Sequence, residues 1–386
     1  MSNTSQSGAI YFFKYGTFSH VNERVVEILR REFPDNELRV VDAVAVLRHR
    51  PWLSLFFRIY GSLRHLGVMV RNKNSPWDFV FRYTAVWNAF SDWIAKNISP
   101  EETRFIIQTQ SLFDASHPRI PFYIYTDHTH AAHKRHFRGG SPTRVSHAWR
   151  EKEKALYRRA DAVFTFSEFC AFSLREDYGL PADRVRDVRS GINIPLPEKL
   201  APLDPDKSIV IFVGIGWRRK GGPQLVEAFK TVRREIPGAE LWIVGSKPEQ
   251  TTEGMRYYGR VDKETMGRLL SEATVYCMPS LLEPAVMVIL DAAAYGLPVI
   301  MTSVGGSSER LEDGVTGLLV PPDDVPAIAQ ALLRILKDRE LAKRMGQAGR
   351  KMVEEKFSWK VTGSAMAETI HKIETERRLS EVHTLL

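Results

Sequence analysis

Cysteine is scarce in this chain of 386 residues: Cys170 and Cys277 are the only two, each in apolar company ("SEFCAFSL", "VYCMPS"). Two isolated thiols give no disulfide framework and no Cys-x-x-Cys metal pair, and they suit a reducing cytoplasm. No apolar run approaches the ~18 residues that a membrane-spanning helix needs. The start, "MSNTSQSGAIYFF", is polar and passes directly into a strand-like run, so no signal peptide is expected. Low-complexity tracts and short-period repeats are missing, which excludes solenoid and fibrous architectures. No RNA- or DNA-binding module is present, so nucleic acid is not an expected partner.

Acidic residues are missing from one long stretch. From Ala43 to Trp77 there is no Asp or Glu, yet Arg48, Arg50, Arg58, Arg64, Arg71 and Lys73 all occur, in a chain of net charge +8. Trp52, Leu53, Phe56, Phe57, Tyr60, Leu63 and Leu66 are interleaved with them, and Phe56, Tyr60 and Leu63 have helical spacing. One reading is a surface helix whose aromatics pack on the core and whose arginines are solvated. The other is docking of residues 47–73 on an anionic membrane surface, which would place the protein on the inner face of the membrane.

What is present is strand–helix alternation. An apolar content of 44% and a charged content of 26% are those of a soluble globular chain, long enough for two domains. In the second half, β-branched runs at Ile209–Val213, Leu241–Val244, Val275–Met278, Pro298–Met301 and Gly317–Val320 predict strands. Helical patterns at Pro223–Arg234, Lys263–Ala273, Val286–Tyr295 and Val325–Leu336 lie between most of them. The strands are apolar on both faces, as in a parallel sheet covered by helices on both sides. The first half repeats the theme, with strands at Ile10–Phe13, Glu37–Val41, Phe105–Gln108, Phe122–Tyr125 and Ala162–Phe166. Its helices are expected at His20–Arg31, Tyr83–Ile94, Ala148–Arg159 and Glu168–Asp177. The proline-rich stretch "NIPLPEKLAPLDPDKS" reads as a linker with the boundary near Leu200. The expectation is an α/β chain of two doubly wound, Rossmann-like domains facing a cleft, 1–200 and 201–358. A charged helix over 359–386 follows. In such sheets ligands sit beyond the carboxyl ends of the strands.

Two loops of the second half stand out. In "PSLLEPAVMVILDAAAYGLPVI", Glu283 follows the Val275–Met278 strand, Pro284 fits a first helical turn, and Asp291 lies about two turns on, roughly 10–12 Å along the axis. The helix start between the two acids, with the amides of Val286, Met287 and Val288, is an anion site. A long ligand with hydroxyls at both ends and phosphates in the middle fits this layout, as a nucleotide-sugar does. Alternatively, Glu283 is a solvated loop acid and Asp291 a helix-face acid. In "FVGIGWRRKGGPQLVEAF", a buried strand ends in Gly214 and Gly216, then Arg218, Arg219 and Lys220, then Gly221-Gly222 opening a helix. Glycines admit close approach and cations neutralise phosphate. The Walker spacing is absent. A plain basic turn is the other reading of this loop.

The first half offers less. "YTDHTHAAHKRH" carries Asp127, His128, His130, His133 and Lys134 after a strand. His128 or His130 suits hydrogen bonding to a sugar hydroxyl. The His-x-His spacing also occurs at metal sites, and the stretch also reads as a polar loop; no metal is assigned. Gly16 and Ser19 lie between the first strand and helix, and Gly305-Gly306 with Glu309 make a tight turn or a donor contact.

Taken together, "FVG…RRKGG…LVEAF", "LWIVG" and "LLSEATVYCMPSLLEP…LDAAAYGLPVI…VGGSSERLEDGVTGLLVPPDD" resemble the C-terminal domain of the glycosyltransferase family 4 enzymes over Ser208 to Trp359. "FTFSEFCAFSLREDYGLPADRVRDVRSGIN" resembles the end of that family's N-terminal domain. The resemblance implies a GT-B fold and a retaining hexosyltransferase. Its donor would be a nucleotide-diphosphate-sugar bound as substrate, with no cofactor and no obligatory metal. The acceptor would be a hydroxyl, on a lipid-linked or envelope glycan. It implies that Glu283 contacts the donor sugar, Asp291 the ribose and Lys220 the phosphates, with His128 near the reacting centre and Gly16 close to the diphosphate. The family's phosphate-binding arginine position is Ile215 here, so Arg218 or Arg219 stands in. The second acid is Asp where the family has Glu, and the loop Glu283-Pro284-Ala285-Val286-Met287 is bulkier than the usual small residues. A non-hydrolysing nucleotide-sugar epimerase and a non-catalytic GT-B partner subunit share the architecture and are the alternatives.

Overall fold

A computed structural model describes residues 8–16, 18–49, 51–64, 80–136, 145–283 and 287–385. The chain divides into two compact units, Met1–Val188 with Gly363–Leu386, and Arg189–Thr362. Each is built on one six-stranded sheet whose pairs are all parallel.

In the first unit the strands are β1 (Ala9–Lys14), β2 (Leu38–Asp42), β3 (Thr103–Thr109), β4 (Phe122–Thr126), β5 (Ala162–Thr165) and β6 (Val185–Asp187), in the order β2-β1-β3-β4-β5-β6. The central strands β1, β3, β4 and β5 are buried almost throughout, which their unbroken apolar runs required. Phe13, Phe81, Trp87, Phe90 and Phe113 fill the core on one side of this sheet. The far part of the Trp359–Leu385 helix belongs to this unit. There Glu374, buried, pairs with Arg104 at 2.8 Å, and Arg104 also reaches Asn36 Oδ1 at 2.8 Å.

The second unit holds β7 (Ile209–Gly214), β8 (Glu240–Gly245), β9 (Met255–Gly259), β10 (Val275–Met278), β11 (Val299–Thr302) and β12 (Gly317–Val320), ordered β12-β11-β10-β7-β8-β9. The order reverses between β7 and β10. A crevice for ligands opens at such a switch point, beyond the carboxyl ends of the two strands. The loops leaving β7 and β10 are those that carry Lys220 and Glu283.

Among the described elements not foreseen are β6, β9 and the helix Arg339–Lys356. The strands are edges, and β9 ("MRYYG") is only half-buried, so its apolar signal is diluted by arginine and solvent-facing tyrosine. The helix buries small residues among charges, Ala342, Gly346 and Gly349 among them. A Cβ on Gly346 would lie 1.8 Å from the Gly296 carbonyl oxygen, so the helix sits directly on backbone there. The expected helix at Val286–Tyr295 is Val288–Ala294; Pro284, Ala285 and Val286 lie outside the described residues.

The acid-free segment forms the helix Pro51–Arg64. The reading in which its aromatics pack inward does not hold for those described: Trp52, Phe56 and Tyr60 are exposed, as are Leu55, Ile59 and Leu63, while Ser54 is buried and Arg58 half-buried. Arg50, Leu66, Arg71 and Lys73, and the side chains of Leu53, Phe57 and Arg64, lie outside what is described.

Candidate active site

The loop after β7 is a compact basic turn. Lys220 N donates to Gly216 O (3.0 Å) and Gly222 N to Trp217 O (2.9 Å), while Gly216 N donates to Ser246 Oγ (2.7 Å). Trp217 anchors the turn edge-on against Phe212, and a Cβ on Gly222 would meet the indole at 2.3 Å. Gly221, with φ of 73°, starts the Gly222–Glu235 helix. A Cβ there would lie 1.9 Å from Pro279 O, so this glycine lets the β7 loop touch the β10 loop.

The turn folds Lys220 back over β7. Its methylenes occupy the space beside Gly214, where a Cβ would lie 2.3 Å from Lys220 Cδ. Lys220 Nζ reaches Glu283 Oε2 at 3.0 Å, in the β10 loop, with Met278 Sδ at 3.4 Å. Arg219 donates to the same Oε2 (2.9 Å) and to Leu282 O (2.9 Å), and Leu281 N donates to Arg219 O. Lys220 and Glu283 are both buried. Burial holds the lysine pKa below its ordinary value, against the opposing pull of the Glu283 carboxylate, and repulsion by Arg219 adds to the lowering. Two cations on one carboxylate leave an excess positive charge in a largely buried crevice.

Arg218 does not join this cluster. Its guanidinium pairs with Glu249 on the surface, with Nε 2.9 Å from the carboxylate, so of the two candidate arginines Arg219 is the one brought to Glu283.

Asp291 sits in the first turn of Val288–Ala294 rather than two turns into a longer helix. It is buried, and its Oδ1 accepts from Asn193 N at 2.8 Å and Ile194 N at 3.4 Å. The described helix begins after residue 287, so the spacing along one helix axis expected for the two acids does not hold. Both nevertheless act on one group. Tyr276, on β10, is fully buried, and its phenol pKa is driven well above the ordinary value by burial first, then by Glu283 and Asp291. Met287 is buried and Val288 half-buried at the helix start.

In the first unit, Gly16 is exposed with φ of 58° and open space around it. Asn22, which the sequence reading passed over, holds this loop: its amide donates to Gly16 O (2.8 Å) and accepts from Thr109 Oγ1 (2.7 Å), tying the ends of β1 and β3. His128 follows β4, half-buried, its ring 5.2 Å from that of His133. His130 opens a short helix, His130–His136, where a loop had been expected. Among the described residues no cluster of three or more His, Cys, Asp or Glu could hold a metal ion. Arg310 was also missed. It is buried, donates to Ser190 Oγ (3.1 Å) and lies over the Phe357 ring. An arginine beside the Gly305-Gly306 turn was the available signal.

Glu153 is a buried carboxyl that no motif announced. It accepts from Ser111 Oγ (2.8 Å), Tyr178 Oη and His130 N (3.3 Å), and so fixes the start of the helix two residues beyond His128. Burial pushes its pKa up to about 7, against the hydrogen bonds that favour the anion. A raised carboxyl pKa stabilises the fold fully below pH 4.5, and that contribution is lost as pH rises through 7. His130 acts in the opposite sense: desolvation, helped by His133 and nearby cations, lowers its pKa to about 4, so its contribution is lost as pH falls. The difference between wild type and Glu153→Gln isolates the carboxyl. Between pH 4.5 and 7 it should change by roughly 3 kcal/mol, wild type losing ground as pH rises. Parallel urea-stability profiles for the two proteins would contradict this.

Residues 105–195 match the family model Glycosyltransferase Family 4, and residues 207–338 match Glycosyl transferases group 1. The chain carries glycosyltransferase family 4 and group 1 domains. The group 1 match contains Lys220, Glu283 and Asp291. Among curated relatives, the glycogen synthase of Mycobacterium tuberculosis is 28% identical over 59% of this chain and 58% of its own length. A GDP-mannose-dependent alpha-(1-6)-phosphatidylinositol monomannoside mannosyltransferase of the same organism is 32% identical over 39% of this chain and 44% of its own. The chain thus spans less than two thirds of the length of either relative. In fold, the crystal structure of a glycosyltransferase from Rickettsia africae ESF-5 superposes with a TM-score of 0.65, covering 95% of this chain and 99% of that one at 15% identity. The two parallel sheets are those of the GT-B class.

Proposed function

We propose that the chain transfers a hexosyl group from a nucleotide-diphosphate-sugar to a hydroxyl acceptor, with retention at the anomeric carbon. The observation that supports this most is the meeting of Lys220 and Arg219 on Glu283 at the β7/β10 switch point. The donor diphosphate takes the two cations in place of the carboxylate. Glu283, released, accepts hydrogen bonds from the donor sugar, and Asp291 takes the ribose hydroxyls. The C1–O bond to the diphosphate breaks and a C1–O bond to the acceptor forms on the same face. The acceptor proton passes to the leaving phosphate oxygen. Lys220 and Arg219 stabilise the charge that grows there, more than they stabilise the bound donor. In the first unit, the His128 ring suits hydrogen bonding to a sugar hydroxyl, and Gly16 has open space around it. These cations do the work of charge neutralisation, so the reading assigns no cofactor and no metal. The acceptor is a lipid-linked or envelope glycan met at the cytoplasmic face of the membrane; a lipid-linked acceptor is what the name of the mannosyltransferase relative describes for that protein.

Thermal shift against UDP-, GDP- and ADP-sugars, followed by product analysis, tests this. At a hundredfold excess over Kd a bound donor adds about 2.7 kcal/mol, roughly 5–10 °C for a domain of this size. A transferred sugar with the donor's anomeric configuration is expected. An inverted product would refute retention, and an epimerised donor or silence with every donor would refute transfer.

A further inference from the structure

Among its described side chains, the helix Pro51–Arg64 turns an apolar stripe outward. Its apolar side chains Trp52, Leu55, Phe56, Ile59, Tyr60 and Leu63 recur at the spacing of one helical face, the pattern by which a surface helix normally buries itself. Here that stripe meets solvent: Trp52 is 82% exposed, Leu63 71% and Phe56 59%. The side turned to the protein carries Ser54, which donates to Pro51 O at 2.9 Å, and half-buried Arg58. Phe56 and Tyr60 stack, rings 5.8 Å apart and 3° from parallel, and Tyr60 meets Tyr83 edge-on at 5.7 Å. Arg48 and His49, just before the helix, are exposed as well.

We infer that this stripe inserts into the interfacial layer of an anionic lipid bilayer, with the helix lying in the membrane plane. Charge decides the occupant. The sequence holds no acidic residue from Ala43 to Trp77, so anionic headgroups find cations and no opposing carboxylate on this segment. Tryptophan and tyrosine beside aliphatic side chains suit the headgroup–acyl boundary. A second copy of the chain fits badly, because a two-fold contact would press the basic segment against itself. The inference stands apart from the transfer reaction, since it concerns where the first unit rests and not what the second unit binds.

Both cysteines are buried, so Leu63→Cys in the full chain gives a single reactive position for an environment-sensitive fluorophore. With vesicles of phosphatidylcholine and phosphatidylglycerol, the label should brighten several-fold, and pure phosphatidylcholine should give much less. In flotation, Trp52→Ser/Phe56→Ser/Leu63→Ser should lower the vesicle-bound fraction about tenfold while its unfolding temperature stays at the wild-type value, because the removed side chains are exposed. Arg48→Glu should weaken binding to the anionic vesicles alone. Failure of the wild type to float with anionic vesicles, equal binding by the triple variant, or a silent label would overturn the inference. So would a wild-type dimer, by sedimentation, that the triple substitution dissociates and vesicles do not.

Discussion

Lys220→Ala should lower sugar transfer roughly a hundred- to a thousandfold, the usual effect of deleting one fixed donor aimed at developing charge. Its site explains the size. The ammonium is buried, 3.0 Å from Glu283 and flanked by Gly214, so little water stands ready to replace it. Folding should survive. Burying this lysine is itself unfavourable, as its lowered pKa records, and Arg219 still pairs with the carboxylate left behind. Donor-induced thermal stabilisation should shrink with turnover, whereas circular dichroism should match wild type. Glu283→Gln should reduce turnover comparably, through loss of the carboxylate proposed to grip the sugar. Near-wild-type rates in both variants would remove the basis for the site assignment.

Gly221→Ala should be the most damaging small substitution in the second unit. Two penalties coincide: φ of 73° is strained for any residue with a Cβ, and that Cβ would fall 1.9 Å from Pro279 O. The neighbour is backbone, not the end of a flexible side chain, so the β10 loop must move. A loss of about 3 kcal/mol, or roughly 6–12 °C in the unfolding of this unit, is expected. Gly214→Ala is the informative contrast. Its clash is with the Lys220 methylenes, which can swing away, so activity should fall while stability changes little. Equal unfolding temperatures for Gly221→Ala and wild type would show that the two loops are not in the contact described.

Much of this molecule was legible beforehand. The strands at Ile209, Val275 and Gly317 begin where the β-branched runs begin, because a strand buried on both faces has no polar positions to blur its limits. The basic turn with glycines on either side was visible as a pattern, as was Glu283 in the loop after a buried strand. Asp291 was legible as a residue but not as a geometry. Its hydrogen bonds to Asn193 and Ile194 bridge nearly a hundred positions, and helix length could not be read through the sequence Pro284-Ala285-Val286. Asn22, Glu153 and Arg310 escaped because a buried polar residue in sequence looks like any solvated one; burial and partners define its role.

By itself the sequence determined the local geometry: alternating strands and helices, sheets buried on both faces, a turn that only glycine can make, and one segment stripped of acids. These follow from periodicity and composition, which act between near neighbours along the chain. Tertiary structure alone decided what lies next to what. Strand order sets β10 beside β7 and so brings Glu283 to Lys220 across 63 residues, selects Arg219 over Arg218, and turns the apolar stripe of Pro51–Arg64 toward solvent. Parallel strands pair only through long crossovers, and an amphipathic pattern states that a helix has two faces without stating which one the rest of the protein will cover.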